Sequence, residues 1–229
     1  MNELIKSISI ETIKATDLKP TTAIIAVEPS QQTNLLFDAL ERAKKALERD
    51  NNLTSHPFLN KTLINPIETK QKQLEILKQH LANPDLLQKL NPKLTYWMPN
   101  IQIAIENGEA IAIDSNHKVN FRDLSDGTIR LLALVTLLAS SEDSLICLHN
   151  PEQKIYPLQL GYLAEEIRAC KSQTIITTQS WMLANYFTAE ELFTIETSPT
   201  QTVIKPISKE FAKLKEQGYN VETILTEIL

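Results

Sequence analysis

Polar residues follow three short apolar runs of this sequence, and their types decide what chemistry the chain could perform. The stretch IIAVEPSQQTNLLFDAL, from Ile24 to Leu40, begins with such a run, continues through a loop and ends in a helix-like pattern. A strand, a loop and a helix in this order outline a phosphate-binding loop, in which glycine N–H groups and a lysine hold the phosphates. This loop has neither glycine nor lysine. The outline of a nucleotide site is therefore present without the residues that bind a nucleotide.

The second half of the chain alternates between two patterns. Ser144–His149 and Gln173–Thr178 are predicted to be strands, and Pro157–Lys171 and Ser180–Phe187 are predicted to be helices. Short apolar strands separated by helices predict an α/β fold with a parallel sheet. Ligands of such sheets bind at the carboxyl ends of the strands. We therefore expect the ends of the first run and of these two strands to lie side by side.

A polar tripeptide, Ser125-Asp126-Gly127, precedes an apolar stretch whose helix is predicted to begin with Thr128 and Ile129. The free N–H groups and the positive end of the helix dipole could hold a phosphate there. Ser, Asp and Gly are also ordinary helix-capping residues. Local physics leaves both interpretations open.

The middle of the chain is less informative. IQIAIENGEAIAI, from Ile101 to Ile113, alternates on both sides of Asn107-Gly108, which predicts a β-hairpin. Leucines spaced three and four apart predict a helix over Ile67–Leu81. We expect one domain over residues 1–229, with a divergent helical segment at about 51–100 and the hairpin in a separate antiparallel lobe.

Composition excludes several classes of function. The 229 residues carry a net charge of -5, so nucleic-acid binding by the chain alone is not expected. The longest apolar run, Leu131–Ala139, is too short to cross a bilayer, and the two cysteines, Cys147 and Cys170, lack CxxC spacing. These features predict a cytoplasmic protein with buried thiols. Cys147 and His149 could begin a zinc site, but no further ligands have matching spacing, so no metal site is expected.

Four segments in order resemble one protein family. LSDGTIRLLAL, from Leu124 to Leu134, resembles the signature motif of ABC-type ATPases of the SMC and RecF-like branch, in particular its small AAA-type members. Ile24–Leu40 stands where that family has its Walker A segment, Ser144–Pro157 resembles the Walker B segment, and Thr174–Leu183 resembles the switch strand. The resemblance implies a P-loop NTPase-like fold of the ABC ATPase head type, with a mainly parallel sheet flanked by helices.

The Walker A segment has lost most of its binding residues. In the pattern GxxxxGK[ST], Ala26 and Gln31 stand at the two glycines, Gln32 at the lysine and Thr33 at the metal-binding hydroxyl. An amide cannot replace the lysine charge. Only the hydroxyls of Ser30 and Thr33 remain of the nucleotide site.

The Walker B and switch segments show the same losses. His149 stands at the metal-binding acid, Asn150 at the glutamate that polarises the attacking water, and Gln179 at the switch histidine. A neutral imidazole is a poor magnesium ligand and an amide is not a base. The resemblance therefore implies no catalytic residues, no cofactor and no catalytic metal. The alternative is a divergent ATP-binding protein or ATPase that uses ATP and Mg²⁺, in which Thr33 and backbone groups suffice for binding and Gln179 positions the water.

The signature motif is the one motif left whole. In the family, two heads face each other and each offers its signature residues to the nucleotide of the other. The resemblance implies that Ser125, Asp126, Gly127 and Thr128 form an interface with a second copy, with an intact ATPase or with an effector protein. If so, Gly127→Asp should abolish pairing or the ATPase of the partner and leave the melting temperature nearly unchanged.

Overall fold

The computed structural model describes residues 24–27, 62–64, 66–141, 145–197, 202–207 and 209–228. Its strands are β1 (Ile24–Val27), β2 (Thr62–Ile64), β3 (Ile101–Glu106), β4 (Glu109–Asp114), β5 (His117–Val119), β6 (Leu145–His149), β7 (Gln173–Thr178), β8 (Leu192–Thr197) and β9 (Thr202–Pro206). Its α-helices are α1 (Lys70–His80), α2 (Pro84–Trp97), α3 (Asp126–Ser140), α4 (Leu160–Ala169), α5 (Trp181–Ala184), α6 (Lys209–Glu216) and α7 (Val221–Ile228).

The chain divides into two compact units, each assembled from separate stretches of sequence. Unit 1 consists of Met1–Ile64, Asp143–Glu152 and Gln173–Leu229, and unit 2 of Asn65–Glu142 and Gln153–Ser172. The expected single domain over residues 1–229 stays a prediction. Within the region at about 51–100, α1 and α2 are helical, whereas Thr62–Ile64 is a strand of the sheet in unit 1.

Unit 1 contains a six-stranded sheet with the order β2-β6-β7-β1-β8-β9. Every neighbouring pair is parallel except β8 and β9, which are antiparallel. Helix α5 packs on β1 and β7, and α7 packs on α5 and α6. The mainly parallel sheet that the sequence predicts is confirmed.

The three strand ends expected to be neighbours lie side by side. His149, the last residue of β6, is in register with Thr177 of β7, and Thr178 is in register with Val27 of β1. The central strands are continuous apolar runs because both faces of a parallel sheet are covered. Accordingly Ile146, Cys147 and Leu148 are buried on β6. The second cysteine, Cys170, is also buried.

In the residues that the structure describes, unit 2 combines four α-helices with a three-stranded antiparallel sheet of order β3-β4-β5. The predicted hairpin is confirmed: Asn107 and Gly108 turn between β3 and β4 with φ of 52° and 81°. A second turn at Ser115 and Asn116, with φ of 51° and 69°, adds the unpredicted strand β5. This sheet is separate from the parallel one, as expected.

Helix α3 forms the core of unit 2. Ten consecutive residues, from Ile129 to Leu138, are buried. A helix that is apolar on all sides must be covered on all sides, and α3 packs against α1, α2 and α4. In the part of the chain that the structure describes, neither α3 nor any other helix is long and apolar enough to span a bilayer.

Two predicted helices are shorter than expected. The segment Pro157–Lys171 begins as a 3-10 turn, becomes α-helical at Leu160 and ends at Ala169. The segment Ser180–Phe187 is α-helical only over Trp181–Ala184. After Asn185 the backbone N–H groups donate to the i−3 carbonyl and no longer to the i−4 carbonyl, which tightens the last turn. The side chain of Asn185 accepts a hydrogen bond from the N–H of Val221.

Thr136 is an exception within the apolar core of α3. Its side chain is fully buried, and its hydroxyl finds no hydrogen-bond partner among the described residues. Burial of an unsatisfied hydroxyl costs free energy that an isosteric methyl group does not. We expect Thr136→Val to raise the free energy of unfolding by about 1 kcal/mol, measured by urea denaturation. A destabilised variant would show that the hydroxyl has a partner.

Candidate functional site

Hydrogen bonds connect the ends of β6 and β7 at the carboxyl edge of the parallel sheet. The His149 Nδ1 lies 2.9 Å from the Thr177 Oγ1, and the Asn150 Nδ2 lies 3.2 Å from the His149 Nε2. The backbone N–H of Asn150 donates to the Thr177 carbonyl at 2.8 Å. The structure therefore brings together His149 and Asn150, two of the residues singled out from the sequence, and adds Thr177 to them.

Two neighbouring side chains hold the imidazole ring of His149. Its Nδ1 pairs with the hydroxyl of Thr177 and its Nε2 with the side-chain amide of Asn150, and the tautomer of the ring decides which atom of each pair donates. Asn150 adopts a φ of 43°, in the left-handed region that asparagine tolerates better than most residues. Both imidazole nitrogens are thus engaged by neighbouring side chains.

A second pair of side chains at this edge escaped the sequence analysis. Thr178 is fully buried, and its hydroxyl donates to the Glu152 Oε1 at 2.6 Å. The same hydroxyl accepts the backbone N–H of Ser180 at 2.9 Å, which fixes the turn after β7. Glu152 lies three residues beyond the end of β6. The only signal for it was the Pro151-Glu152 dipeptide after the strand.

His149 and Asn150 do not fit the magnesium ion that an intact ATPase site would hold at this edge. Magnesium prefers carboxylate, phosphate and water oxygens in octahedral geometry. At the end of β6 the chain instead presents an imidazole and an amide that bond to each other. Among the described residues, no group of three or more His, Cys, Asp or Glu side chains could hold a metal ion.

The signature motif lies at the beginning of α3, in unit 2. Ser125 caps the helix: its side chain accepts the N–H of Thr128 at 3.2 Å and lies 2.8 Å from the Thr128 hydroxyl. The prediction that Thr128 and Ile129 begin the helix is wrong by two residues, since α3 starts at Asp126. The hydroxyl oxygen of an N-cap serine accepts the N–H of the third helical residue, which is Thr128 here. Asp126 and Gly127 are therefore the first two residues of the helix.

Gly127 is required by a close approach of the backbone. A Cβ atom at this position would lie 2.3 Å from the Lys154 carbonyl oxygen. Real Cβ contacts are never so short, so any side chain here must displace the chain at Lys154. The expectation that Gly127→Asp leaves the melting temperature unchanged is therefore wrong, because that substitution disturbs the fold of unit 2 itself.

Two lysines bind the carboxylate of Asp126. The Lys154 Nζ lies 2.8 Å from its Oδ2, and the Lys70 Nζ lies 3.3 Å from its Oδ1. Lys70 also donates to the carbonyl of Arg122 at 3.2 Å. Sequence reasoning missed both lysines, because contacts across 28 and 56 residues leave no periodic signal.

The acid titration of Asp126 should report these contacts. Hydrogen bonds from Lys154 and then from Lys70 lower the pKa of Asp126 below its usual value of 3.8. A lowered pKa contributes stability above the unfolded-state pKa and loses it as the pH falls through the folded-state pKa. The contribution is small because the group is exposed. We expect Lys154→Met to raise the titration midpoint of Asp126 measured by NMR, whereas Lys72→Met, which removes a surface pair with Glu68, leaves it unchanged.

The other residues singled out from the sequence are placed as follows. Gln179 is exposed directly after β7. Ser30, Gln32 and Thr33 lie outside the described residues.

A mainly parallel α/β sheet with candidate residues at its carboxyl edge is the arrangement of a P-loop NTPase-like domain. The chain belongs to the family described as "AAA domain, putative AbiEii toxin, Type IV TA system", which matches residues 26–184. No curated protein matches it significantly.

Several solved structures are similar to this chain. An SMC head bound to the C-winged helix domain of ScpA is 12% identical, with a TM-score of 0.47 over 66% of this chain and 56% of that chain. The SMC head domain from Thermotoga maritima is 15% identical, with a TM-score of 0.43 over 59% and 52%. An Smc head with an extended coiled coil, bound to the C-terminal domain of ScpA from Pyrococcus furiosus, is 15% identical, with a TM-score of 0.42 over 81% and 52%. The chain thus spans about half the length of these relatives.

Proposed function

We propose that this chain is a pseudo-ATPase, an ATPase-like head that does not hydrolyse ATP and acts through association with another protein. Its family supplies the ATPase-like domain. The observation that carries the proposal is the hydrogen-bonded group of His149, Asn150 and Thr177 at the carboxyl edge. Phosphoryl transfer needs a metal-binding acid and a residue that polarises water at this edge, and these side chains supply neither.

The identity of the Walker A residues supports the same proposal. Gln32 offers no positive charge at the position of the phosphate-binding lysine, and the segment contains no glycine. Losses at the phosphate, the metal and the water each remove an interaction on which catalysis depends. Together they leave an ATPase frame with no catalytic residues, no bound metal and no cofactor.

The partner that we propose is a protein, either a second copy of this chain, an intact ATPase or an effector. The proposed contact is the signature face, which we define as residues 125–128. Ser125 and Asp126 are exposed there. A net charge of -5 does not favour binding of nucleic acid by the chain alone, and we propose a cytoplasmic location.

Ser125 offers a sharper test of this contact than Gly127. Serine, asparagine and aspartate cap helices about equally well, so Ser125→Asp and Ser125→Asn should both preserve the melting temperature. The two variants have nearly the same shape and differ in charge. We expect the aspartate to abolish pairing, or the ATPase of a partner, in sedimentation and turnover assays, while the asparagine retains it. If both variants pair and support turnover like the wild type, the motif is only a helix cap.

A second candidate function is a divergent ATP-binding protein or ATPase. The observation that favours it is Glu152, a carboxylate retained at the carboxyl edge, together with the hydroxyl of Thr33. In this alternative Glu152 would take over the role of the missing acids, and Gln179 would position water. Glu152 accepts a hydrogen bond from the hydroxyl of Thr178. This bond accounts for the position of Glu152 under the first proposal, without a ligand.

Turnover distinguishes the two functions. We expect no magnesium-dependent ATP hydrolysis above a heat-inactivated sample of the same protein, because no side chain replaces the lysine, the metal-binding acid or the base. The measurement is phosphate release with and without Mg²⁺. The matched variants are Thr33→Ala and Glu152→Gln. Turnover in the wild type that either variant removes would support the ATPase and refute the pseudo-ATPase.

A further inference from the structure

The loop that follows β6 lies against the first turn of α3. We name residues 153–156 the Lys154 loop. Lys154 has a φ of 64°, in the left-handed region that a residue with a side chain occupies only when its surroundings hold it there. Ile155, the next residue, is buried and anchors the loop. The backbone at Lys154 is therefore held in an unfavourable conformation by contacts on either side.

Two contacts hold this conformation, and both involve the signature motif. The Lys154 carbonyl lies against Gly127, at the one place where a Cβ atom would collide with it. The Lys154 ammonium binds Asp126 at 2.8 Å. The two residues of the motif thus contact the same loop residue in different ways, one through its backbone and one through its side chain.

We infer that the Lys154 loop is a latch that closes over the signature face, with the ion pair to Asp126 as its releasable part. In the closed state the carbonyl of Lys154 lies against Gly127, and the ammonium group of Lys154 is paired with the carboxylate of Asp126. A partner that approaches these two residues must first displace the loop. The latch is therefore an autoinhibitory contact within unit 2.

The strength of the latch follows from the exposure of its ion pair. The side chains of Lys154 and Asp126 are 64% and 51% exposed. Exposed pairs of this kind are weak and are screened by salt. The latch can consequently open without unfolding of unit 2, whose core on α3 is fully buried. The unfavourable φ of Lys154 favours the opening once the ion pair is broken.

Tryptic cleavage after Lys154 measures the opening directly. Cleavage of a folded protein at a given bond follows the population of the locally opened state when closing is fast. Asp126→Asn removes the charge of the acceptor but keeps the shape of the side chain and the cleavage site. We expect this variant to be cut after Lys154 about two- to fivefold faster than the wild type. Mass spectrometry identifies the bond.

Gly127→Ala provides a second route to the open state, because its methyl group displaces the carbonyl without changing a charge. It too should be cut faster after Lys154, and by a larger factor than after Lys118, although the variant is also less stable as a whole. The control is Glu68→Gln, which breaks the exposed pair with Lys72 on the same unit and should not change cleavage at Lys154. Cleavage after Lys118, in the antiparallel sheet, serves as the internal reference.

The cleavage experiment tests the latch independently of the proposed function. Only the autoinhibitory role of the latch rests on the proposed function. Cleavage that accelerates more at Lys154 than at Lys118 in both variants supports the latch. Wild-type cleavage in both, or equal acceleration at Lys154 and Lys118, overturns it. If Asp126→Asn opens the loop and also strengthens pairing, the autoinhibitory role holds. If it opens the loop and no pairing is detected in any variant, the latch stands as a loop contact and the autoinhibitory role fails together with the pairing proposal.

Discussion

Gly127→Ala is expected to destabilise unit 2, although it adds only one methyl group to an N-terminal turn. Alanine is the better helix former, so helix propensity alone predicts a gain in stability. The new Cβ would however lie 2.3 Å from the Lys154 carbonyl oxygen, which belongs to the backbone and cannot rotate away. Overpacking of this kind costs about 1–3 kcal/mol, and a backbone clash belongs at the upper end.

Calorimetric or fluorescence melting checks this expectation. A loss of about 3 kcal/mol corresponds to a fall in melting temperature of roughly 6–12 °C for a chain of this length. Gly161→Ala is the comparison variant, because it makes the same glycine-to-alanine change at the second residue of helix α4 in the same unit. Equal melting temperatures for Gly127→Ala and the wild type would contradict the close approach. In that case Gly127→Asp would again test pairing alone, because a side chain at this position would not disturb the fold of unit 2.

Thr178→Val is expected to loosen the carboxyl edge of the sheet. The substitution keeps the shape of the side chain but removes a fully buried hydroxyl that donates to Glu152 and accepts from the N–H of Ser180. The bond to the carboxylate is charge-assisted, and a part-buried N–H that loses its acceptor adds to the cost. We expect the free energy of unfolding to fall by about 2–4 kcal/mol.

Two further variants show whether the hydroxyl is responsible. Thr178→Ser keeps both hydrogen bonds and loses only a methyl group, so it should cost about 1 kcal/mol. Thr136→Val removes an equally buried hydroxyl without a partner among the described residues, and it should be stabilising. The three variants are compared by urea denaturation. If Thr178→Val is as stable as Thr178→Ser, the contact with Glu152 does not hold the edge together.

The parallel sheet could be predicted because its central strands carry their own signal. Ser144–His149 and Gln173–Thr178 are continuous apolar or β-branched runs, which is typical of strands buried on both faces. The hairpin was equally clear, since Asn107-Gly108 has the positive φ angles that its turn requires. Patterns of this kind depend on local sequence alone.

Shorter strands gave no such signal. β2 and β5 have three residues each, too few for a period, and β9 ends the sheet as an antiparallel neighbour of β8. A segment of three residues forms a strand only because a longer strand pairs with it, as β6 pairs with β2. Tertiary context therefore decided these elements.

The candidate site was predicted only in part for the same reason. His149 and Asn150 stand at motif positions, so a resemblance locates them. Their bonds to Thr177, and the bond between Glu152 and Thr178, join residues 26 to 28 apart in sequence. At the signature motif, sequence reasoning left a helix cap open as one interpretation, began the helix two residues late and missed the loop that lies against Gly127. A glycine permits a close approach of two backbones, but it does not show which segment approaches it.

Isothermal titration of ATP into the purified protein, with and without Mg²⁺, tests the central claim most directly. The pseudo-ATPase predicts no magnesium-dependent heat of binding at sub-millimolar ATP, because Gln32, His149 and Asn150 provide neither a charge for the phosphates nor an acid for the metal. The matched reference is Thr33→Ala, which should titrate like the wild type. Magnesium-dependent binding with a sub-millimolar dissociation constant in the wild type, lost in Thr33→Ala, would contradict the proposal and establish a nucleotide-binding protein.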